Sequence, residues 1–129
     1  MSKKDMTQRL VRTMENPHID AIAHPTGRVV HRREEYPLDF EQILKAAKRT
    51  KTALEINANT KRLDLRDVYI RQAVEKGIKM VIGTDIHPIS FFHMMELGVA
   101  QARRGWAEKK DILNTLSADK FIKYFKKDV

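Results

Sequence analysis

Apolar positions recur along the chain with two alternating spacings. Over residues 5–15, DMTQRLVRTME, Met6, Leu10 and Met14 fall four apart and Pro17 stops the pattern, which predicts an amphipathic helix. The run DAIAH at 20–24 is short, apolar and closed by the polar PTG, which predicts a buried strand and a loop. LDFEQILKAAKRT then puts Phe40, Ile43, Leu44 and Ala47 on one helical face, with Asp39 placed to cap the start. TALEIN at 52–57 predicts a second strand, ended by the polar ANTKRLD. Leu65 to Glu75 is helical again through Leu65, Val68, Tyr69 and Ala73, with Gly77 at its C-terminal stop. IKMVIG at 78–83 predicts the third strand, and SFFHMMELGVAQARR and SADKFIKYFKK predict two closing helices. In the last of these, Ser117 is the cap and Phe121, Ile122 and Phe125 are expected to face inward.

The predicted order is αβαβαβαα. Strands centred near 22, 54 and 81 lie about 30 residues apart with a helix in each interval, the repeat of a parallel sheet. Right-handed crossovers place the three strand C-terminal ends on one edge. The fold class is therefore α/β: a partial β/α barrel of about three parallel strands, since 129 residues fall short of the roughly 250 of a full barrel. Three strands leave two sheet edges that need a partner or protection. No linker, low-complexity segment or strong repeat divides residues 1–129, so a single domain is expected.

Composition narrows the chemistry. There is no cysteine, which excludes disulfides, thiolate metal sites and a thiol nucleophile, and leaves any metal to His and carboxylate. The apolar runs fall far short of the ~20 residues that span a bilayer, and MSKKDMTQRL has no apolar stretch behind its basic residues. A cytoplasmic protein with no membrane partner is expected. Twenty-five Lys and Arg against 17 Asp and Glu give a net charge of +8, which draws the chain to polyanions by counterion release and makes DNA a candidate partner. The same charge, scattered as it is, also fits an ordinary solvated surface. Neither a glycine-rich phosphate loop nor a serine elbow occurs.

Each predicted strand ends in a polar signature: AHPTGR, EINAN and TDIHP. Ligands of α/β folds bind at strand C-terminal ends, so His24, Asp85 and His87 are candidates to converge there. Two imidazoles and a carboxylate suit Zn²⁺ or Mn²⁺ with positions open for water. Asp85 and His87, two apart on an extended segment, are expected to project to the same side. The same D-x-H also fits a helix-capping Asp beside a surface His. Glu55 and Asn57 share a strand face opposite Leu54 and Ile56, which suits them to orient ligands by hydrogen bonds. Arg28, four residues after His24, has the planar fork that holds a phosphate oxygen. His18, His31 and His93 read as surface or packing residues, and Trp106 as a ring anchored against the last helices rather than a stacking platform.

AHPTGR, ALEINAN, VIGTDIHP and GVAQARRGWAEKKDILNTL, in that order and spacing, resemble the C-terminal part of the PHP (polymerase and histidinol phosphatase) domain. The likeness covers essentially the whole chain and is nearest to the PHP domain of bacterial and archaeal family X DNA polymerases. It implies a TIM-like barrel metallophosphoesterase whose strand ends hold divalent metals, Zn²⁺, Mn²⁺ or Mg²⁺. On that resemblance His24, Asp85 and His87 are metal ligands, and Asp85 and His87 are catalytic. The family's H-x-H motif and bridging carboxylate have no counterpart in these residues, so the implied site is incomplete. A second chain carrying the missing half, association of two copies, or a truncated product would each account for that. Completed, the domain is expected to process DNA ends in repair, by 3′-5′ exonuclease or phosphatase-like hydrolysis. The alternative is a non-catalytic remnant, an assembly or DNA-binding module with an incomplete metal site.

Overall fold

Residues 1–125 are described by a computed structural model, in which three parallel strands form the centre. They are β1 (Ala21–Ile22), β2 (Ala53–Asn57) and β3 (Met80–Gly83), paired in the order β1-β2-β3. Ala21 lies opposite Ala53, Leu54 opposite Met80 and Asn57 opposite Gly83. Helices α1 (Lys3–Glu15), α2 (Phe40–Thr50), α3 (Asp67–Glu75), α4 (Met95–Arg104) and α5 (Ala118–Phe125) complete the chain. This is the α/β order expected from the periodicity, a partial β/α arrangement with no closed barrel.

Local chemistry explains the boundaries. Ser2 and Asp39 cap α1 and α2 by accepting from the Asp5 and Gln42 amides, at 3.1 and 3.2 Å. Gly77, at φ 71°, follows α3 in the left-handed region that glycine enters without steric cost. β1 is shorter than the five residues expected, because the chain leaves the extended region at His24, whose φ is 32°. The helix expected over 90–104 begins as a 3-10 segment, Ile89–Met94, and becomes α-helical only from Met95.

The core lies between the sheet and its helices. Leu54, Ile56 and Met80 meet Ile43, Leu44 and Ile70, all fully buried. Each such side chain contributes about 1.5–3 kcal/mol relative to exposure. On α3 the inward position belongs to Ile70, and Val68 is 50% exposed, contrary to the expected face. On α5 no residue is buried and Ile122 is 59% exposed. Of the expected inward face Phe121 and Phe125 are half-buried and only Ile122 turns out, and a cavity of about 710 Å³ lies between Lys120 and Tyr124 on one side and Leu113 and Leu116 on the other.

The two sheet edges differ. Ile112 bridges Met80 beside β3, and the Asn114 side chain accepts from the Ile82 amide at 2.7 Å and donates to the Ile82 carbonyl at 2.9 Å. At Ile82 one carboxamide thus makes both hydrogen bonds that a fourth strand would make there. No further strand pairs with β1 among the described residues. Within the same residues, no helix is long and apolar enough to cross a membrane.

Candidate functional site

The strands run parallel, so their C-terminal ends share one edge, and the polar residues that follow them meet there. Glu55 projects from β2 toward the loop after β1, and its Oε2 accepts from the His24 amide at 2.6 Å and from Asn57 Nδ2 at 3.1 Å. Asn57 is fully buried and also reaches Asp85 Oδ2 at 3.4 Å. Asn59 donates to the Asp85 carbonyl at 3.4 Å, and Arg62 Nε lies 3.6 Å from the Asp85 carboxylate. One polar network therefore joins the ends of all three strands. Gly83 makes room for it: a Cβ there would lie 2.6 Å from Glu55 Oε1.

Three buried or half-buried groups fix the loops. Asp64, with no exposure, accepts from the Thr26 amide at 3.0 Å and so ties down the HPTG turn. Burial pushes its carboxyl above the usual carboxylate range, against the pull of hydrogen bonds from Thr26 and Gly27. Arg28 and Arg62 latch their loops reciprocally: Arg28 Nε donates to the Arg62 carbonyl at 2.9 Å, and Arg62 Nη1 to the Arg28 carbonyl at 3.4 Å. Asp64 and Arg62 were not singled out from the sequence. Their one signal is position, in the loop that follows the second strand.

The placement of the expected ligands is less simple than their spacing. Asp85 has a φ of 48°, so the segment is not extended there and the argument that Asp85 and His87 share a side fails. His87 is exposed in the following loop. Among the described residues no three His, Asp or Glu side chains are grouped to hold a metal ion. The Asp85 carboxylate is engaged by Asn57 and Arg62, and that of Glu55 by Asn57 and the His24 amide. The donor types suit a divalent cation, but as placed they do not complete a site for one.

His18, His31 and His93 are exposed, and His93 Nδ1 lies 2.9 Å from the Ser90 carbonyl. Trp106 departs from expectation. It turns at φ 62° after α4, is 66% exposed, and lies under the Arg71 guanidinium, 3.5 Å from the ring centroid. Its partner is thus a cation projecting from α3 rather than the last helices.

No protein-family model matches the chain. Among curated proteins, the DNA polymerase/3′-5′ exonuclease PolX of Bacillus subtilis is 47% identical over 110 residues, which are 85% of this chain and 19% of the polymerase. A probable phosphatase of Acetivibrio thermocellus is 29% identical over 134 residues, 96% of this chain and 51% of the phosphatase. A probable phosphatase of Clostridium acetobutylicum is 35% identical over 94 residues, 68% of this chain and 36% of its own length. The chain thus corresponds to only a part of each relative.

Proposed function

Because the chain belongs to the PHP family, resembling the C-terminal part of that domain, we propose that it supplies one half of a phosphoesterase site whose remaining ligands lie outside these 129 residues. The observation that carries this reading is the network at the strand ends, where Glu55 and Asn57 tie the His24 backbone to the Asp85 carboxylate. In the completed site His24, Asp85 and His87 are metal ligands for Zn²⁺ or Mn²⁺, and Glu55 and Asn57 orient them. No hydrolytic step is assigned to the chain alone, since its own donors leave the site unfinished.

The substrate in this reading is a phosphodiester at a DNA end. The resemblance to a polymerase with 3′-5′ exonuclease in its name supports it, as does the basic rim beside the network. Arg28, His31, Lys61 and Arg62 lie on two loops joined by a 2.7 Å bond from the Val30 amide to the Lys61 carbonyl. Arg28 is the residue proposed to hold a phosphate oxygen.

One observation favours a second reading. Asp85 is paired with Arg62, and Glu55 Oε2 accepts from two amide groups, so these carboxylates have protein partners with no ion present. That suits a non-catalytic assembly module. Isothermal titration with Mn²⁺ and Zn²⁺, on the chain alone and mixed with the complementary part of a PHP relative, separates the two. We expect weak binding alone, tighter binding in the mixture, and hydrolysis of a model phosphodiester only there, abolished by Asp85→Ala. Hydrolysis by the mixture that survives both His24→Ala and Asp85→Ala would overturn the proposal. No gain in metal affinity on mixing would establish the second reading instead.

A further inference from the structure

The opposite edge of the sheet carries a separate feature. Lys51 and Thr52 lead into β2 and Lys79 leads into β3, so these residues mark the strands' N-terminal ends, away from the polar network. Two grooves meet there and share Lys79 and Tyr124 as walls. The larger, about 710 Å³, runs between α5 and residues 108–117, and the smaller, about 340 Å³, lies against the end of α2.

Lysines line both. Lys109, Lys110 and Lys120 face the larger groove, Lys48, Lys51 and Lys123 the smaller. Among the described residues Glu108 is the single carboxylate in either lining, and it is spent on Lys110 at 3.4 Å. Lys79 Nζ donates to the Lys110 carbonyl at 2.6 Å, which leaves its charge without a counter-charge among the described residues. Elsewhere on the surface Arg49, Arg66, Arg71, Lys76 and Arg104 each meet a carboxylate. Unpaired like charges lining a concave surface focus a positive potential, which an anion seated in the groove relieves.

The apolar component narrows the anion. Leu113, Leu116 and the Tyr124 ring line the larger groove among its lysines. Cations flanking an aromatic wall are the composition with which proteins hold unpaired bases and their phosphates together. A flexible strand can pass from one groove to the other past their shared walls, Lys79 and Tyr124, whereas a duplex, stiff over about 150 base pairs, fits such concave surfaces poorly. We propose that the two grooves form one binding surface for single-stranded nucleic acid, with the lysines on phosphates and Tyr124 against a base. This surface is distinct from the strand-end network and requires no metal.

Fluorescence anisotropy of a labelled oligothymidylate, about 12 nucleotides long, tests this in EDTA, where failure of the phosphoesterase reading has no bearing. The full chain is compared with the triple variant Lys109→Gln, Lys120→Gln, Lys123→Gln and with a charge-matched control on α1, Lys3→Gln, Lys4→Gln, Arg9→Gln. Three lost phosphate contacts should flatten the slope of log affinity against log salt by about 2 in the groove variant, at about 0.7 per contact. The control should leave that slope unchanged. Tyr124→Leu should weaken binding between about 5-fold and 150-fold with the slope retained. Equal losses in the groove and control variants would assign the binding to diffuse charge and overturn the proposal. Tighter binding of duplex, or displacement of the strand by polyglutamate at equal charge, would overturn it as well.

Discussion

Asp64 keeps a carboxyl group in a place that disfavours its charge, and this fixes the sign of a pH effect. Its folded pKa lies above the ordinary 3.8, raised by burial. The fold therefore favours the protonated form, and the stabilisation from that proton is fully present below 3.8 and lost as pH rises through the folded value. Asp64→Asn retains an oxygen for the Thr26 amide but cannot ionise. Urea unfolding across this range should show the variant gaining on the parent as pH rises above 3.8; a gap that does not change with pH would remove Asp64 from the account. Gly83 offers a second test at this scale. A methyl 2.6 Å from Glu55 Oε1 must shift that carboxylate, whose Oε2 accepts from the His24 amide. Gly83→Ala should cost about 1–3 kcal/mol and speed hydrogen exchange at His24, and unchanged exchange there would show that Glu55 does not hold the loop. Neither effect is legible in the sequence, where Asp64 is one more polar loop residue and Gly83 one more strand end. What the residues did reveal was the three polar strand termini. The left-handed turn at Asp85 stayed hidden because a D-x-H reads the same in an extended or a turned backbone.

Elements with a strong repeat were legible almost to their ends. The α2 face of Phe40, Ile43, Leu44 and Ala47 is buried as the spacing required, with α1 packed along the helix and the Tyr69 ring of α3 against Phe40. On α5 an equally regular spacing was half right, since Phe121 and Phe125 are half-buried while Ile122 is exposed. Periodicity reports that a helix has an apolar face but not how much of it is covered. The element least visible from sequence is the stretch that closes β3. Nothing in DILNTL marks Asn114 as a strand mimic, since its partner Ile82 lies 32 residues away. Its removal is correspondingly diagnostic. Asn114→Ala deletes two hydrogen bonds to the backbone of a buried residue and should destabilise the protein by about 2 kcal/mol. It also bares an edge that promotes aggregation. A denaturation midpoint equal to the parent's would mean that water replaces the carboxamide without cost.

For the whole molecule, the asymmetry of the sheet decides how it can be completed. The β3 edge is closed by the chain itself, whereas β1 presents an edge with no strand beside it among the described residues. A segment that extends the sheet toward a fuller barrel must therefore add at β1, and it arrives next to His24, where the proposed metal site is incomplete. The backbone direction makes this testable. The Asp20 carbonyl accepts from the Ala53 amide, so in a parallel ladder the Ala21 groups point the other way, toward the open side. Proline at an edge position removes the outward donor while sparing the inner pairing. Ala21→Pro should thus preserve the thermal midpoint of the isolated chain. It should also abolish complementation by the missing part of a PHP relative, read as loss of the co-sedimenting complex and of its phosphodiester hydrolysis. If Ala21→Pro complements as well as the parent, the sheet is not extended at β1. The second half of the site must then approach over the loops instead, where the exposed Ile89, Phe91 and Phe92 offer the apolar surface to receive it.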